Sequence, residues 1–322
     1  SAVFVGLVTL SIVVLTGWTG QISLAALGFA GAGAFGAATL STGAHLPFWL
    51  TIPLAGLVGV PLAVLVGVPA LRLRGFFLAL ATLAFMVACE SWLFTQSFFS
   101  THNDVSRGVL RDDLSQPAFY ASLFFAVLVF VGVRNLGKTR VARAFHALRD
   151  SENTAIAMGI DPVRYKLLAF ALSGFVAGIA GGCWGYMNLK VVPGAFTFLG
   201  SLQFITYTVI AGIALQGGAV LAPVLFVLVP TVLATTASGT NQFPFFILPG
   251  FFAIRTVIDY PNGVGGFFVR GLRRFDPSER VAWASAEAEG SDKEIIDLRG
   301  EETEEGLFEE AAHPGFVGVP GA

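Results

Sequence analysis

Nine long apolar runs, separated by short polar joins, dominate this sequence: residues 2–16, 22–40, 48–70, 75–95, 117–133, 167–187, 198–216, 218–237 and 243–258. A bilayer core of about 30 Å needs roughly 20 apolar residues per helix. Backbone at that depth must satisfy its own hydrogen bonds. The pattern therefore predicts an all-α polytopic membrane helix bundle of about nine spans, some of them broken. Composition agrees: 55% of the 322 residues are hydrophobic and 12% are charged, the latter about half the share of a soluble domain. A soluble enzyme and a wholly disordered chain are both excluded. Cys89 and Cys183 sit inside apolar runs, and His45, His102, His146 and His313 form no ligand cluster. No disulfide, metal site or cofactor is expected. No cleavable signal peptide is visible, and the chain starts at Ser1 inside an apolar run, as a fragment or a processed product would.

Charge is unevenly spread. Residues 1–275 carry 16 Lys/Arg against 8 Asp/Glu, whereas residues 276–322 carry 3 against 13. Nothing in this balance calls for nucleic acid. Basic residues collect in cytoplasmic loops, and the richest loop is 134–166, with Arg134, Lys138, Arg140, Arg143, Arg149, Arg164 and Lys166. Placing it in the cytoplasm and alternating the spans puts 12 Lys/Arg inside and 3 (Arg107, Arg111 and Lys190) outside. The expected organisation is a transmembrane domain over 1–270, with its cytoplasmic loop at about 134–166. A disordered acidic cytoplasmic tail is expected over 271–322.

Several features point to a compact bundle rather than a single anchor. Pro53, Pro61 and Pro69 are expected to interrupt one span, and Pro223 and Pro230 another, since proline removes a backbone donor. Gly28, Ala32 and Gly36, and again Gly174, Gly178 and Gly182, repeat at the four-residue spacing that lets helix backbones approach closely. Two nucleotide-binding patterns occur without their setting. Gly132 to Thr139 fits a phosphate-binding loop, but it follows a membrane-length apolar run. Gly31, Gly33 and Gly36 fit a dinucleotide fingerprint, but inside a span, and no acidic residue lies about 20 positions on.

Four segments are candidates for function. Gly17-Trp18-Thr19-Gly20-Gln21-Ile22-Ser23-Leu24 is a polar break between two spans, tolerated only against protein or water. The second is Leu71-Arg72-Leu73-Arg74-Gly75 with the run that follows it. The third, 141–158, reads as one short amphipathic helix with Phe145, Leu148, Ile156 and Met158 on its apolar side, ended by Gly159. Such a helix can dock in a groove of another subunit or lie on the membrane surface. The fourth is the glycine-rich join Ala211 to Pro223. Glu90 is the one acidic residue well inside a predicted span. It is either a functional carboxylate or a paired or solvated group near the outer interface. Arg255 and Asp259 have the spacing of an i,i+4 pair.

These segments resemble the LivM-type permease of branched-chain amino acid ABC importers. The shared residues are Gly17, Gly20, Gln21 and Ser23; Arg72, Arg74, Gly75, Thr82 and Phe85; Arg143, Arg149 and Gly159; and Tyr165, Lys166, Ala169, Phe170, Ser173, Ala177, Gly178, Ala180 and Gly181. The resemblance covers about residues 1–270. The chain departs from the family pattern at Ala142 and Ala211, and the family has one more helix before residue 1. The resemblance implies a multi-pass permease subunit in the cell membrane with its C-terminus in the cytoplasm. The implied partners are a LivH-like second permease, two ATP-binding subunits and an extracytoplasmic solute-binding protein, with membrane lipid around them. It makes Arg143, Arg149, Glu152 and Gly159 the ATPase-coupling loop, and it leaves the chain without catalytic residues of its own. Gly17, Gly20, Gln21 and Ser23 form a polar break in the translocation region. Branched-chain amino acids are the expected substrate; related permeases handle urea, short amides or aromatic acids. Other readings are a sugar permease and an ion-coupled secondary transporter, the latter disfavoured because Glu90 alone offers an embedded acid.

Overall fold

The structure, a computed structural model, describes residues 2–73, 75–96, 104–105, 115–212 and 216–228. The expected span 243–258, the Arg255–Asp259 pair and the acidic tail 271–322 lie outside the described residues. The described residues are helical apart from short joins and one isolated bridge between Asp104 and Lys190. Helix α1 (Ala2–Ile12) runs on into a wider π turn, Val13–Gly17. Then follow α2 (Ala26–Thr42), α3 (Phe48–Ala70), α4 (Phe76–Ser91), α5 (Ser115–Leu136), α6 (Arg140–Asp150), α7 (Glu152–Ala157), α8 (Pro162–Asn188), α9 (Phe198–Ala211) and α10 (Gln216–Pro223), the last prolonged by a π turn over Val224–Leu228. Five stretches among them are long and apolar enough to cross a membrane: Phe48–Ala70, Phe76–Thr95, Ala118–Leu136, Pro162–Asn188 and Pro193–Ala211.

The core is a set of helix crossings around α8. Its small-residue stripe meets backbone and the methyl groups of facing alanines. A Cβ on Gly178 would lie 2.6 Å from the carbonyl oxygen of Ala55 in α3, and one on Gly181 would overlap the Ala30 carbonyl of α2. Gly59 and Gly174 abut in the same way. Without a hydrophobic driving force between helices in lipid, close approach and dispersion do the holding. The stripe Gly28, Ala32 and Gly36 of α2 does not form one seam. Gly28 makes room for Met86 and Phe85 of α4, and Gly36 for Val58 of α3. The backbone contact with α8 falls instead on Ala30 and Gly33. The dinucleotide-like glycines are thus a packing device: Gly31 receives the Phe94 and Phe196 rings, Gly33 the Gly178 backbone and Gly36 Val58.

Three expectations need correction. Pro53, Pro61 and Pro69 do not interrupt α3, which runs unbroken from Phe48 to Ala70. Each spacing of eight turns the helix by about 80°, so they fan across the side of α3 away from the core, and the carbonyls they deprive of a donor belong to Trp49, Leu57 and Leu65, whose side chains are exposed. The core-facing residues Ile52, Ala55, Gly59 and Ala63 lie on the opposite side. Second, α2 begins at Ala26, not at 22, and all but three of its 17 residues are buried. It is an interior helix, not a lipid-facing one. Third, 141–158 is two helices. Ser151 is extended (φ −157°, ψ 113°) and its side chain accepts the Thr154 amide, ending α6 and capping α7. Phe145, Leu148 and Ala155 are buried as an amphipathic face requires, but Ile156 and Met158 stand 50% and 72% exposed.

Glu90 is half-buried and bonded to backbone. Its Oε2 accepts the backbone amide of Phe198 at 2.8 Å, at the first turn of α9, where a negative charge is favoured.

Candidate functional site

The polar break and the 134–166 loop, distant in sequence, meet in space. After the π turn the chain leaves helical geometry at Gly20 (φ +69°), a conformation that excludes most side chains. A Cβ there would press on Arg149 Cγ at 3.2 Å, so glycine also makes room for the arginine that crosses it. Arg149, at the end of α6, donates from Nη1 to the Gly17 carbonyl at 2.7 Å. That carbonyl is one a helix end leaves over. Helix α6 is seated by aromatic contacts. The Trp18 ring of the break faces Phe145 and His146 at centroid distances of 6.4 and 6.1 Å, and Phe145 meets Tyr165 of α8 edge-on at 6.2 Å. Burial against Trp18, with Arg149 close by, holds His146 below the usual histidine range, and Asp150 partly opposes this.

Beyond Gly20 the break is anchored on both sides. The Leu24 amide donates to Thr82 Oγ1 of α4 at 3.0 Å, and the Leu24 carbonyl accepts from Ser201 Oγ of α9. Protein groups thus supply the partners that lipid cannot. Ser23 is buried, its Oγ accepting the Ala25 amide at 3.4 Å where α2 begins. On the other side, Glu152 opens α7 and its Oε1 accepts from Lys166 Nζ of α8 at 2.9 Å, with side-chain exposures of 26% and 12%. Gly159 takes the left-handed conformation (φ +81°). The amides of Gly159 and Ile160 reach back to the carbonyls of Ile156 and Ala155, Asp161 caps α8, and Pro162 occupies its first turn. That turn fixes α7 against α8.

Between these parts lies a cavity of about 230 Å³, lined by Thr19, Gly20, Gln21, Ile22, Ala70, Leu73, Gly75, Leu78, Leu148, Arg149, Glu152 and Lys166. Three of the joins predicted to share the cytoplasmic side (17–24, 71–75 and 134–166) contribute to it. Of the residues picked out in the sequence, Gly20, Gln21, Arg149 and Glu152 come together here, with Gly17 bonded to Arg149. Ser23 lies deeper along the break. Arg143 projects from the exposed side of α6, and Gly159 acts through its turn. No side chain in the cavity forms a nucleophile–base pair, and among the described residues no group of three His, Cys, Asp or Glu is placed to hold a metal. Thr82 and Lys166 stand in the sequence among the residues shared with the family, without a role assigned to them, and Ser201 is not singled out at all. Thr82 is the one hydroxyl in the run from Phe76 to Cys89, which is a readable signal. Nothing in the sequence points to Ser201.

A family profile described as the permease component of branched-chain amino acid transport systems matches residues 1–251. The chain belongs to this family. The permease is 30% identical over 244 residues to the high-affinity branched-chain amino acid transport permease LivM of Salmonella typhimurium, covering 66% of this chain and 57% of that protein. It is 28% identical over 250 residues to the Escherichia coli K12 LivM, with the same coverage. A shorter stretch of 104 residues is 31% identical to a probable LivH permease of Methanocaldococcus jannaschii, covering 29% of this chain and 33% of that protein. The permease thus spans 57% of the length of the two enterobacterial relatives. No solved structure matches it. The family and the apolar helices make it a multi-pass membrane protein of the permease family.

Proposed function

We propose that this permease lines a translocation path for branched-chain amino acids and is driven by ATP-binding subunits docked on α6 and α7. The observation that carries the reading is the Arg149–Gly17 hydrogen bond, which joins the loop resembling a coupling element directly to the break in the membrane-embedded backbone. Orientation follows from the Lys/Arg bias: the cavity end is cytoplasmic, and so is the C-terminus. The outer face of the loop carries Arg143, Ile156 and Met158, all exposed and free to enter a partner's groove. The inner face carries Arg149 and Glu152, which hold the break and α8. Closure of the ATP-bound partners would move α6 and α7, and Arg149 would pass that motion to Gly17–Leu24. The ligand that shifts the equilibrium is ATP on another chain. A LivH-like second permease and a solute-binding protein complete the assembly. The acidic segment 271–322 is proposed as a cytoplasmic extension.

The division of labour is testable in the assembled transporter. Ile156→Asp with Met158→Asp should release the ATP-binding subunits on affinity purification while the permease stays monodisperse. Arg149→Ala should keep them bound but leave ATP hydrolysis uncoupled from leucine uptake. Retained subunits in the first variant, or full coupling in the second, would count against the reading.

A further inference from the structure

More than four residues from either end of the five membrane-length stretches, the polar side chains are Thr82, Glu90, Ser173, Ser201, Gln203 and Thr206. The first four are buried or half-buried, whereas Gln203 and Thr206, both on α9, are exposed. With Leu199 and Leu202, also exposed, they follow the i, i+3, i+4, i+7 spacing of one helix face. Ser201, Phe204 and Thr208 fill the side turned to the core. At 1.5 Å per residue, Gln203 and Thr206 lie about 8 and 12 Å along the axis from Phe198, well inside the span. The carboxamide is held in place: Gln203 Nε2 donates to the Tyr207 hydroxyl, and the Tyr207 ring stacks on Phe226 at 3.9 Å. Its Oε1 and second N–H have no partner among the described residues. By contrast, α5 turns Leu123, Phe124, Val127, Leu128 and Val131 outward, an apolar surface suited to lipid.

Lipid offers no hydrogen bond to an open carboxamide, and polar groups at this depth face protein or water. We infer that the side of α9 carrying Gln203 and Thr206 lines a water-filled passage through the membrane. Two observations favour a passage over a packed helix contact. The face has no glycine or alanine among its exposed residues Leu199, Leu202, Gln203 and Thr206, so it lacks the small residues by which the frame of α2, α3 and α8 brings backbones together. The same helix also ends a line of hydrogen bonds. Arg149 of α6 holds Gly17, the break runs on to Leu24, and the Leu24 carbonyl accepts from Ser201, two residues before Gln203. The proposed route of ATP-driven motion thus arrives at the helix that carries the polar face. Gln203 and Thr206 bring donors and acceptors without fixed charge, which water and neutral polar groups satisfy and a bare ion does not. The inference rests on the transport reading above and adds to it the helix face along which the passage runs.

The test is thiol accessibility in the assembled transporter in nanodiscs, probed with a positively charged methanethiosulfonate, which needs a thiol that ionises in water. Gln203→Cys and Thr206→Cys should each react about tenfold or more faster than Leu128→Cys on the outer face of α5, in the nucleotide-free or the ATP-bound state. The wild type, whose Cys89 and Cys183 are buried, sets the background. In proteoliposomes, the charged adduct on Gln203→Cys should lower ATP-driven leucine uptake about tenfold or more, while the reagent leaves Leu128→Cys transporting as before. Rates at both α9 positions no faster than at Leu128→Cys in either state would overturn the inference, because lipid or a packed helix would then cover the face. So would uptake that survives complete modification of Gln203→Cys. Failure of the transport reading shows separately, as ATP-binding subunits that do not copurify or as no uptake before modification. Normal uptake with both α9 variants unreactive is failure of this inference alone.

Discussion

The crossing of α2, α3 and α8 and the junction of the break with α6 and α7 are held together by opposite means. At the crossing, glycine and alanine bring backbone against backbone, and Gly33, Gly59, Gly174, Gly178 and Gly181 leave no space for even one added carbon. At the junction, side chains reach to backbone: Arg149 to Gly17, Thr82 and Ser201 to Leu24, and Ser151 to Thr154, around an open cavity. The first kind of contact has one arrangement, because overlap is punished steeply and interiors are not continuously deformable. The second kind can be exchanged for a ligand, water or another rotamer at modest cost. The proposed function needs a frame that keeps its shape and a hinge that gives it up, and the two kinds of contact suit those two parts.

The sharpest way to break that contrast is to put a side chain into the frame. Gly178→Leu should abolish folding, with a cost of about 4 kcal/mol or more, read as loss of the monodisperse peak in detergent. Gly132→Ala is the matched control. Gly132 lies within α5 with open space around it, so the change should be neutral or stabilise by up to about 1 kcal/mol. Equal damage from both would mean that the glycines of the crossing are not special.

An intermediate effect is expected at the hinge. Thr82→Val keeps the shape of the side chain but leaves the Leu24 amide without its partner. The cost should be about 1–3 kcal/mol, confined to the break. Hydrogen exchange at Ile22–Ala25 should accelerate while α8 stays protected. If α8 loosens equally, the break and the frame are one cooperative unit and the contrast fails.

How far the sequence foretold this arrangement follows from the same contrast. Apolar periodicity and small-residue spacing are local, so α3, α4, α5 and α8 are legible within a few residues, and so is the fact that the Gly174–Gly182 stripe packs closely. Which partner each glycine meets is a tertiary matter; the stripe of α2 splits between α3 and α4, and Ala30 and Gly33 take α8 instead. Proline rules foretold an interruption of α3 that three prolines on its outer face do not make. The polar break and the 134–166 loop were each visible, through Gly20 and Gln21 and through Arg149 and Glu152. Their meeting was not, because nothing in a sequence separates an arginine aimed at a partner subunit from one aimed at Gly17. The split of 141–158 was legible in principle, since Ser151 followed by Glu152 and Thr154 is a helix-capping signal.

The smallest expected effect concerns how the hinge answers to acid. His146 is held below its ordinary value first by burial against Trp18 and then by Arg149. A folded-state histidine that prefers to be neutral contributes stability that is complete above the unfolded value, near pH 6.5. That contribution is lost as pH falls through the lower folded value, because the undocked helix takes up the proton first. The docking of α6 on Trp18 should therefore weaken in acid, with a small amplitude since the imidazole is partly solvated. Tryptophan fluorescence followed from pH 7.5 to 5 should show a transition that His146→Gln removes. Arg149→Ala should move that transition to higher pH, because a nearby positive charge no longer opposes protonation. The frame carries no comparable group among its crossing residues, so its protection against hydrogen exchange should stay flat over the same range. A transition that persists in His146→Gln would assign the acid response to some other contact.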